Sequence, residues 1–229
     1  MQLNEVTALL QPEPLPLETG YERLPDGVLH VAVRTDMHNC TGEMFEWWFR
    51  WRCDTQKYTW WHPVDHLFCT WQGELSDSTH VGTECVATEE LTGQPATDLL
   101  VQFRDPAEFF DPRSYREARD SGEISCAVTA RAGLSHSPKR QPDGAVIGGR
   151  VLHIGRDTAW GLALRSHFYL GQDLPASGAS PLDLEREVTT ELGVGLLQHA
   201  YNEFTFLSRF LPSLHVAEHR DKHRPVVPW

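Results

Sequence analysis

This 229-residue sequence lacks the basic surface, the disulfide framework and the long apolar runs that define several large classes of protein. It contains 20 lysines and arginines but 32 aspartates and glutamates, and the resulting net charge of −12 disfavours a nucleic-acid partner. No apolar run approaches the ~18 residues that a membrane span needs, so we expect no membrane partner. The five cysteines form no CxxC pair, and the acidic, proline-rich N-terminus is not typical of a signal peptide. We therefore expect buried thiols and a reducing, cytoplasmic location.

Common catalytic motifs are also missing. G-x-S-x-G, the P-loop and G-x-G-x-x-G do not occur. The H-x-x-E-H pattern at 215–219 leaves no room for the downstream carboxylate ligand of an inverted zincin, so we interpret it as part of a solvated tail. Cys69 lies in an apolar run and is interpreted as a buried structural thiol, not a nucleophile.

The succession of patterns predicts an α+β protein. Residues 1–20 are expected to form an extended N-terminal leader because of their prolines, residues 21–211 a single domain that carries the activity, and residues 212–229 a C-terminal tail. Alternating polarity predicts strands at 28–34, 81–89, 98–104, 123–131, 145–155 and 161–170. Thr41 is expected to cap a short helix that ends near Trp51. A single long helix is expected from Pro181 to Leu211, with a curved antiparallel sheet wrapped around it.

Six of the eight tryptophans lie between Trp47 and Trp71, in the run EWWFRWRCDTQKYTWWHPVDHLFCTW. An indole is large and unfavourable to leave in water, so this density indicates a core or the wall of a pocket. The same run contains His62 and His66, which are either satisfied core residues or part of a chemical site.

The long helix carries two ionisable residues on its apolar stripe. His199 and Glu203 are one helical turn apart, so their side chains can converge. A buried carboxylate beside an imidazole is unfavourable unless a cation is shared, and zinc accepts both ligand types. A plain buried hydrogen bond between the two is the alternative. The residues that could complete a four-ligand site are His62, His66, Glu89 and Glu90.

Four segments in order resemble the diacetylphloroglucinol/phloretin hydrolase family: EMFEWWFRW, KYTWWHPVDH, GGRVLHIGRDTAWGLALRSHFYLG and HAYNEF. The resemblance extends from about Gly20 to Leu211. It implies a Bet v 1-like (START-like) fold. It also implies a zinc hydrolase that cleaves the carbon–carbon bond between a polyhydroxylated aromatic ring and its acyl group.

The resemblance also implies a set of site residues. The Zn²⁺ ligands it implies are His66, Glu90, His199 and Glu203. His62 and Glu89 stay open as alternatives for the first two of them. His153 matches a family histidine that contacts substrate oxygens, and with Tyr58 it is expected to orient or supply a proton in a retro-Claisen cleavage. Trp61 and Tyr169 are expected to bind the substrate.

The expected partner is a small aromatic substrate of the polyketide type, and a homo-oligomer is compatible with the sequence. Two other functions fit the same fold. One is a polyketide cyclase-like enzyme, and the other is a non-catalytic binder of aromatic ligands.

Overall fold

The computed structural model describes residues 1–73 and 75–220. Within these residues, eight strands form one antiparallel sheet in the order β1-β2-β8-β7-β6-β5-β4-β3. The strands are β1 (Gly20–Arg23), β2 (Leu29–His38), β3 (His66–Gly73), β4 (Thr83–Glu89), β5 (Thr97–Arg104), β6 (Cys126–Leu134), β7 (Gly149–Thr158) and β8 (Gly161–Leu170). The α-helices of the described chain are α1 (Gly42–Trp51), α2 (Thr55–Trp61), α3 (Pro112–Ser121), α4 (Pro181–Glu187) and α5 (Thr190–Glu218).

The sheet curls around α5. Strands of a flat sheet are ~4.8 Å apart, so β2 and β4 would lie about 24 Å from each other. However, a Cβ atom on Gly193 of α5 would touch Leu29 of β2, and one on Gly195 would touch the carbonyl of Leu91, just beyond β4. One helix therefore contacts residues near both edges of the sheet, which requires the sheet to curve around it. This confirms the α+β class and the arrangement expected of a Bet v 1-like (START-like) protein, a curved antiparallel sheet around a long C-terminal helix.

The predicted strands correspond to β2 and β4–β8, and the predicted helix to α1. The side chain of Thr41 caps α1 by accepting a hydrogen bond from the backbone N–H of Met44. The patterns did not reveal β1, β3, α2 or α3. In β3, Leu67 and Phe68 are consecutive and both exposed, so this edge strand has no clean alternation. In the part of the chain that the structure describes, no helix is both long and apolar enough to cross a bilayer.

The C-terminal helix differs from the prediction at both ends. The predicted single helix is divided into α4 and α5. The side chain of Thr189 caps the first turn of α5 by accepting a hydrogen bond from the N–H of Leu192. At the other end α5 continues through Pro212. Proline cannot donate to the carbonyl of Ser208 one turn earlier, and the thiol of Cys40 points at this oxygen from 3.9 Å instead. Residues 212–218 are therefore helical and not a tail, while residues 221–229 lie outside the described part.

The N-terminal segment is not an extended leader. Residues Leu3–Leu10 form a 3-10 helix whose Leu9 and Leu10 are fully buried, on the face of the sheet turned away from α5. Further along the segment, the carboxylate of Glu18 forms an ion pair with the buried guanidinium of Arg165 at 2.6 Å. The prolines at 12, 14 and 16 suggested a free extended course, but the apolar residues before them anchor the segment to the domain.

Candidate metal centre

A cavity of about 490 Å³ lies between α5 and the concave face of the sheet. One part of its wall is aromatic, and it is formed by Trp48, Phe49, Trp61, Trp71 and Phe103. The tryptophan-rich run thus supplies both core and wall. Trp47 packs on Trp51 and the end of α5, whereas Trp61 and Trp71 border the cavity.

Two histidines and two carboxylates meet at the side of this cavity. His66 opens β3 opposite Glu89, the last residue of β4, and α5 contributes His199 and Glu203. The Nε2 atom of His66 lies 3.7 Å from Oε2 of Glu89 and 3.9 Å from Oε2 of Glu203. The Nε2 atom of His199 lies 4.0 Å from the same Glu89 oxygen. Four potential ligand atoms from three elements therefore converge.

The spacing of these atoms fits a metal ion. Ligand atoms at the ~2.1 Å zinc distance in a tetrahedron are about 3.4 Å apart, and the nitrogen–oxygen distances of 3.7, 3.9 and 4.0 Å exceed this spacing by a few tenths of an ångström. His66, Glu89 and His199 each offer a ligand atom within 4.8 Å of the others. Within residues 1–73 and 75–220, the buried Nε2 of His66 has no hydrogen-bond partner.

The second nitrogen of each histidine is held by the protein. His66 donates its Nδ1–H to the backbone carbonyl of Tyr58 at 2.9 Å, and His199 donates its Nδ1–H to Oδ2 of Asp65 at 3.0 Å. A neutral ring held in this way directs the lone pair of Nε2 toward the carboxylates. Outer bonds of this kind fix the tautomer and the orientation of metal-ligating histidines.

The electrostatics of the cluster also favour a cation. Burial raises the pKa of Glu203 to about 8, although the charge of His199 opposes the shift. For His199, burial acts to lower the pKa, but the charge of Glu89 and the bond to Asp65 outweigh it and raise the value to about 9. Burial lowers the pKa of His66 well below its usual range. The metal-free cluster must therefore keep protons on buried groups, and a divalent cation would replace them.

A second group, His62, Asp65 and His199, also has the spacing of a metal site. The atoms that would bind the metal already carry a proton or accept hydrogen bonds. Oδ2 of Asp65 accepts bonds from His199 and from both the backbone and the hydroxyl of Thr92. His62 accepts the N–H of Asp65 at Nδ1, which places the proton of its neutral ring on Nε2 and leaves no lone pair free. Of the two histidines left open by the sequence, the geometry favours His66.

The strand carboxylate differs from the residue preferred from the sequence. Glu89, not Glu90, lies against His66 and His199 and lines the cavity. Consecutive residues at a strand point to opposite sides, so only one of the two glutamates can face the histidines. The backbone N–H of Glu90 bonds to the carbonyl of Asp65 at 2.8 Å. The structure thus brings Glu89, and not Glu90, to the two histidines.

Both residues expected to take part in proton transfer border the cavity. The hydroxyl of Tyr58 donates to Oε2 of Glu89 at 2.5 Å, and its ring stacks on His66 with centroids 3.7 Å apart. Burial and the charge of Glu89 raise the pKa of Tyr58 well above its usual range. His153 on β7 bonds through Nδ1 to the hydroxyl of Ser166 at 2.9 Å, and burial lowers its pKa to about 3. Both groups are therefore uncharged at neutral pH.

The two predicted substrate contacts have different positions. Trp61 lines the cavity, and its buried Nε1–H has no acceptor among the described residues. Tyr169 is fully buried on the other face of the sheet and stacks on His30. Its neighbours Phe168 and Leu170 line the cavity instead. Alternation along β8 accounts for this correction, because a shift of one residue reverses the face.

Two functional neighbours were not predicted. Asp65, directly before His66, fixes His199, and Ser166 fixes His153. The carboxylate in WWHPVDH was a visible signal for Asp65, because metal-bound histidines commonly donate to a carboxylate. Ser166 carried no such signal, since only the pairing of β7 with β8 places it opposite His153.

Comparisons with known proteins find related sequences and structures. A family model described as "DAPG hydrolase PhiG domain" matches residues 1–216. A 2,4-diacetylphloroglucinol hydrolase from Pseudomonas sp is 25% identical over 93% of this chain and 76% of its own length. A phloretin hydrolase from Eubacterium ramulus is 25% identical over 87% of this chain and 72% of its own length. Among solved structures, Ara h 8.0201 aligns with a TM-score of 0.47 and 11% identity over 82% of this chain and 99% of the other.

Proposed function

The chain belongs to the DAPG hydrolase PhiG domain family, and on that premise we propose that it is a zinc-dependent hydrolase of acylated polyphenols. The bond cleaved joins a polyhydroxylated aromatic ring to its acyl group. In the balanced reaction, water supplies a proton to the ring carbon and a hydroxyl group to the acyl carbon, and the products are the free polyphenol and a carboxylic acid. The observation that carries the proposal is the convergence of His66, Glu89, His199 and Glu203, called the His–Glu set below, beside an aromatic cavity.

The residues that would hold the metal are His66, Glu89, His199 and Glu203. Zinc bound there would lower the pKa of a coordinated water and would polarise the acyl carbonyl of the substrate. The chain keeps this set in place through its own bonds. Asp65 orients His199, and the hydroxyl of Tyr58 holds Glu89. Because the proton of Tyr58 is engaged by Glu89, we assign Tyr58 primarily to positioning.

The aromatic wall fits the flat ring of the substrate. Cleavage requires protonation of the ring carbon that carries the acyl group, because the electron pair of the broken bond stays on this carbon. His153 is neutral and tied to Ser166 through Nδ1, which leaves Nε2 as the nitrogen available to a ring hydroxyl. We propose that His153 orients the substrate ring. It would also pass a proton between a hydroxyl oxygen of that ring and the reacting ring carbon.

The proposal is tested by incubating the zinc-loaded protein with a panel of acylphloroglucinols and measuring the carboxylic acid released. Wild type should release acid and free phloroglucinol in equal amounts. His199→Ala and Glu203→Gln should lose at least 100-fold in rate while staying folded by circular dichroism. Glu218→Gln, exposed near the end of the same helix, is the matched control and should keep wild-type rates. Unchanged turnover in both site variants would contradict the proposal, as would the absence of acid from every substrate.

A further inference from the structure

The cavity has two chemically different halves, and the His–Glu set lies between them. On β4, Cys85 borders the aromatic half, Glu89 belongs to the set, and Leu91 follows in the other half. On α5 the order is the same, because Leu192 and Leu196 precede His199 and Glu203. Phe204, directly after the set, packs on Trp61 and His153 at the aromatic end.

The second half of the cavity is lined mainly by aliphatic side chains. Its walls are formed by Leu91, Leu99, Leu170, Val188, Leu192 and Leu196. The strands beneath contribute small residues to this lining, among them Ala132, Gly133 and Gly149. At its far end Lys139 and Glu187 line the cavity and are exposed, which marks a charged mouth. The aliphatic half is thus a channel from the His–Glu set to solvent.

We infer that this channel binds the acyl part of the substrate, and that the protein prefers medium-length saturated acyl chains to acetyl. The inference rests on the proposed function, because it assigns the scissile carbonyl to the His–Glu set. With the ring in the aromatic half beside His153, the acyl group extends from the set into the channel. An acetyl group would leave most of the channel to water, whereas a longer chain fills it.

The length of the channel sets the length of the chain. Leu192 lies about 10 Å along the axis of α5 from His199, at the ~1.5 Å rise of a helix. This is about the reach of eight carbons in an extended chain. Each methylene that leaves water should tighten transition-state binding about two- to fourfold. Beyond that length the chain meets Lys139 and Glu187 at the mouth, so the gain should level off.

The test is a series of 1-acylphloroglucinols from acetyl to dodecanoyl. For wild type, kcat/KM should rise about two- to fourfold per methylene up to about octanoyl and then become constant. Leu192→Trp fills the channel, so it should lower kcat/KM for octanoyl at least tenfold and that for acetyl less than threefold. Val194→Trp, exposed on the same helix and outside the cavity lining, is the matched control and should change neither. If Leu192→Trp does not fold, Leu196→Phe takes its place.

A second measurement separates this inference from the proposed function. The 1-alkylphloroglucinols lack the carbonyl and cannot be cleaved, and their binding is followed through the fluorescence of Trp48, Trp61 and Trp71. Affinity that rises with chain length, and falls in Leu192→Trp, supports the channel even if no acylphloroglucinol is hydrolysed. Hydrolysis of acetylphloroglucinol with rates that are flat or falling along the series supports the proposed function and overturns the inference. Equal loss for acetyl and octanoyl in Leu192→Trp also overturns it.

Discussion

At the scale of single residues, the site depends on which of two adjacent glutamates faces the histidines. Glu89 is the last residue of β4 and lies opposite His66, so its carboxylate lies beside both imidazoles. Glu90 instead ties its backbone to Asp65. A sequence with two consecutive glutamates contains no information on which one ends the strand. Only the pairing of β3 with β4 decides it.

The matched variants Glu89→Gln and Glu90→Gln test this assignment. Glu89→Gln removes one charged ligand and the acceptor of Tyr58, so zinc affinity should fall at least tenfold and hydrolysis at least 100-fold. Glu90→Gln should stay within about threefold of wild type in both. Zinc affinity is measured by competition with a chromophoric chelator. The reverse pattern, with Glu90→Gln as the damaging change, would show that the assignment is wrong.

Part of the site was predictable from the sequence. His199 and Glu203 were identifiable because two ionisable groups one turn apart interrupt an apolar helical stripe. The preference for His66 over His62 came from the family resemblance and not from the residue pattern, because it depends on which ring nitrogen the surrounding backbone engages. Tyr169 was misplaced by one position, since the face of a central strand cannot be read where both faces are buried.

At the scale of elements, the N-terminal segment departs most from expectation. Its 3-10 helix covers the face of the sheet opposite α5 and forms part of a second hydrophobic core. We predict that Leu9→Ala lowers the free energy of unfolding by about 2–4 kcal/mol, because Leu9 is fully buried. The exposed Thr7→Ala in the same helix is the control and should change it by less than about 0.5 kcal/mol. Urea titrations measure both, and equal stability of the two variants would mean that the segment is not anchored.

Elements with a strong periodic pattern were predictable, and elements defined by single contacts were not. The alternation in β2 and β4–β8 and the cap at Thr41 both appear in the fold. The break between α4 and α5 depends on the side chain of Thr189 capping Leu192. The passage of α5 through Pro212 removes the usual N–H partner of the Ser208 carbonyl, and the thiol of Cys40 points at this oxygen. Such contacts come from the tertiary structure, which a local pattern does not contain.

At the scale of the whole molecule, buried neutral histidines link stability to pH. Burial lowers the pKa of His80 to about 4, with the charge of Arg50 acting in the same direction. The folded pKa is below the ordinary value of about 6.5, so the unfolded chain binds more protons between the two. The stability tied to a neutral His80 is therefore full above pH 6.5 and is lost as the pH falls toward 4.

This linkage predicts a difference between wild type and His80→Gln. Between pH 6.5 and pH 5, wild type should lose about 1.5 kcal/mol more unfolding free energy than the variant, which has no group to protonate there. His38→Gln, at an exposed position, is the matched control and should follow wild type. Urea unfolding of the metal-free proteins at the two pH values gives the comparison. Parallel losses in wild type and His80→Gln would contradict a buried neutral imidazole at this position.

We propose that the His–Glu set at the junction of α5, β3 and β4 is the zinc site at which acylated polyphenols are hydrolysed. The most direct test is a zinc titration of chelator-stripped protein, with release of the carboxylic acid from an acylphloroglucinol as the readout. We predict no activity without zinc, a linear rise to one zinc per chain and a plateau beyond it. Full activity of the stripped protein, or a rate that does not respond to zinc, would contradict the claim.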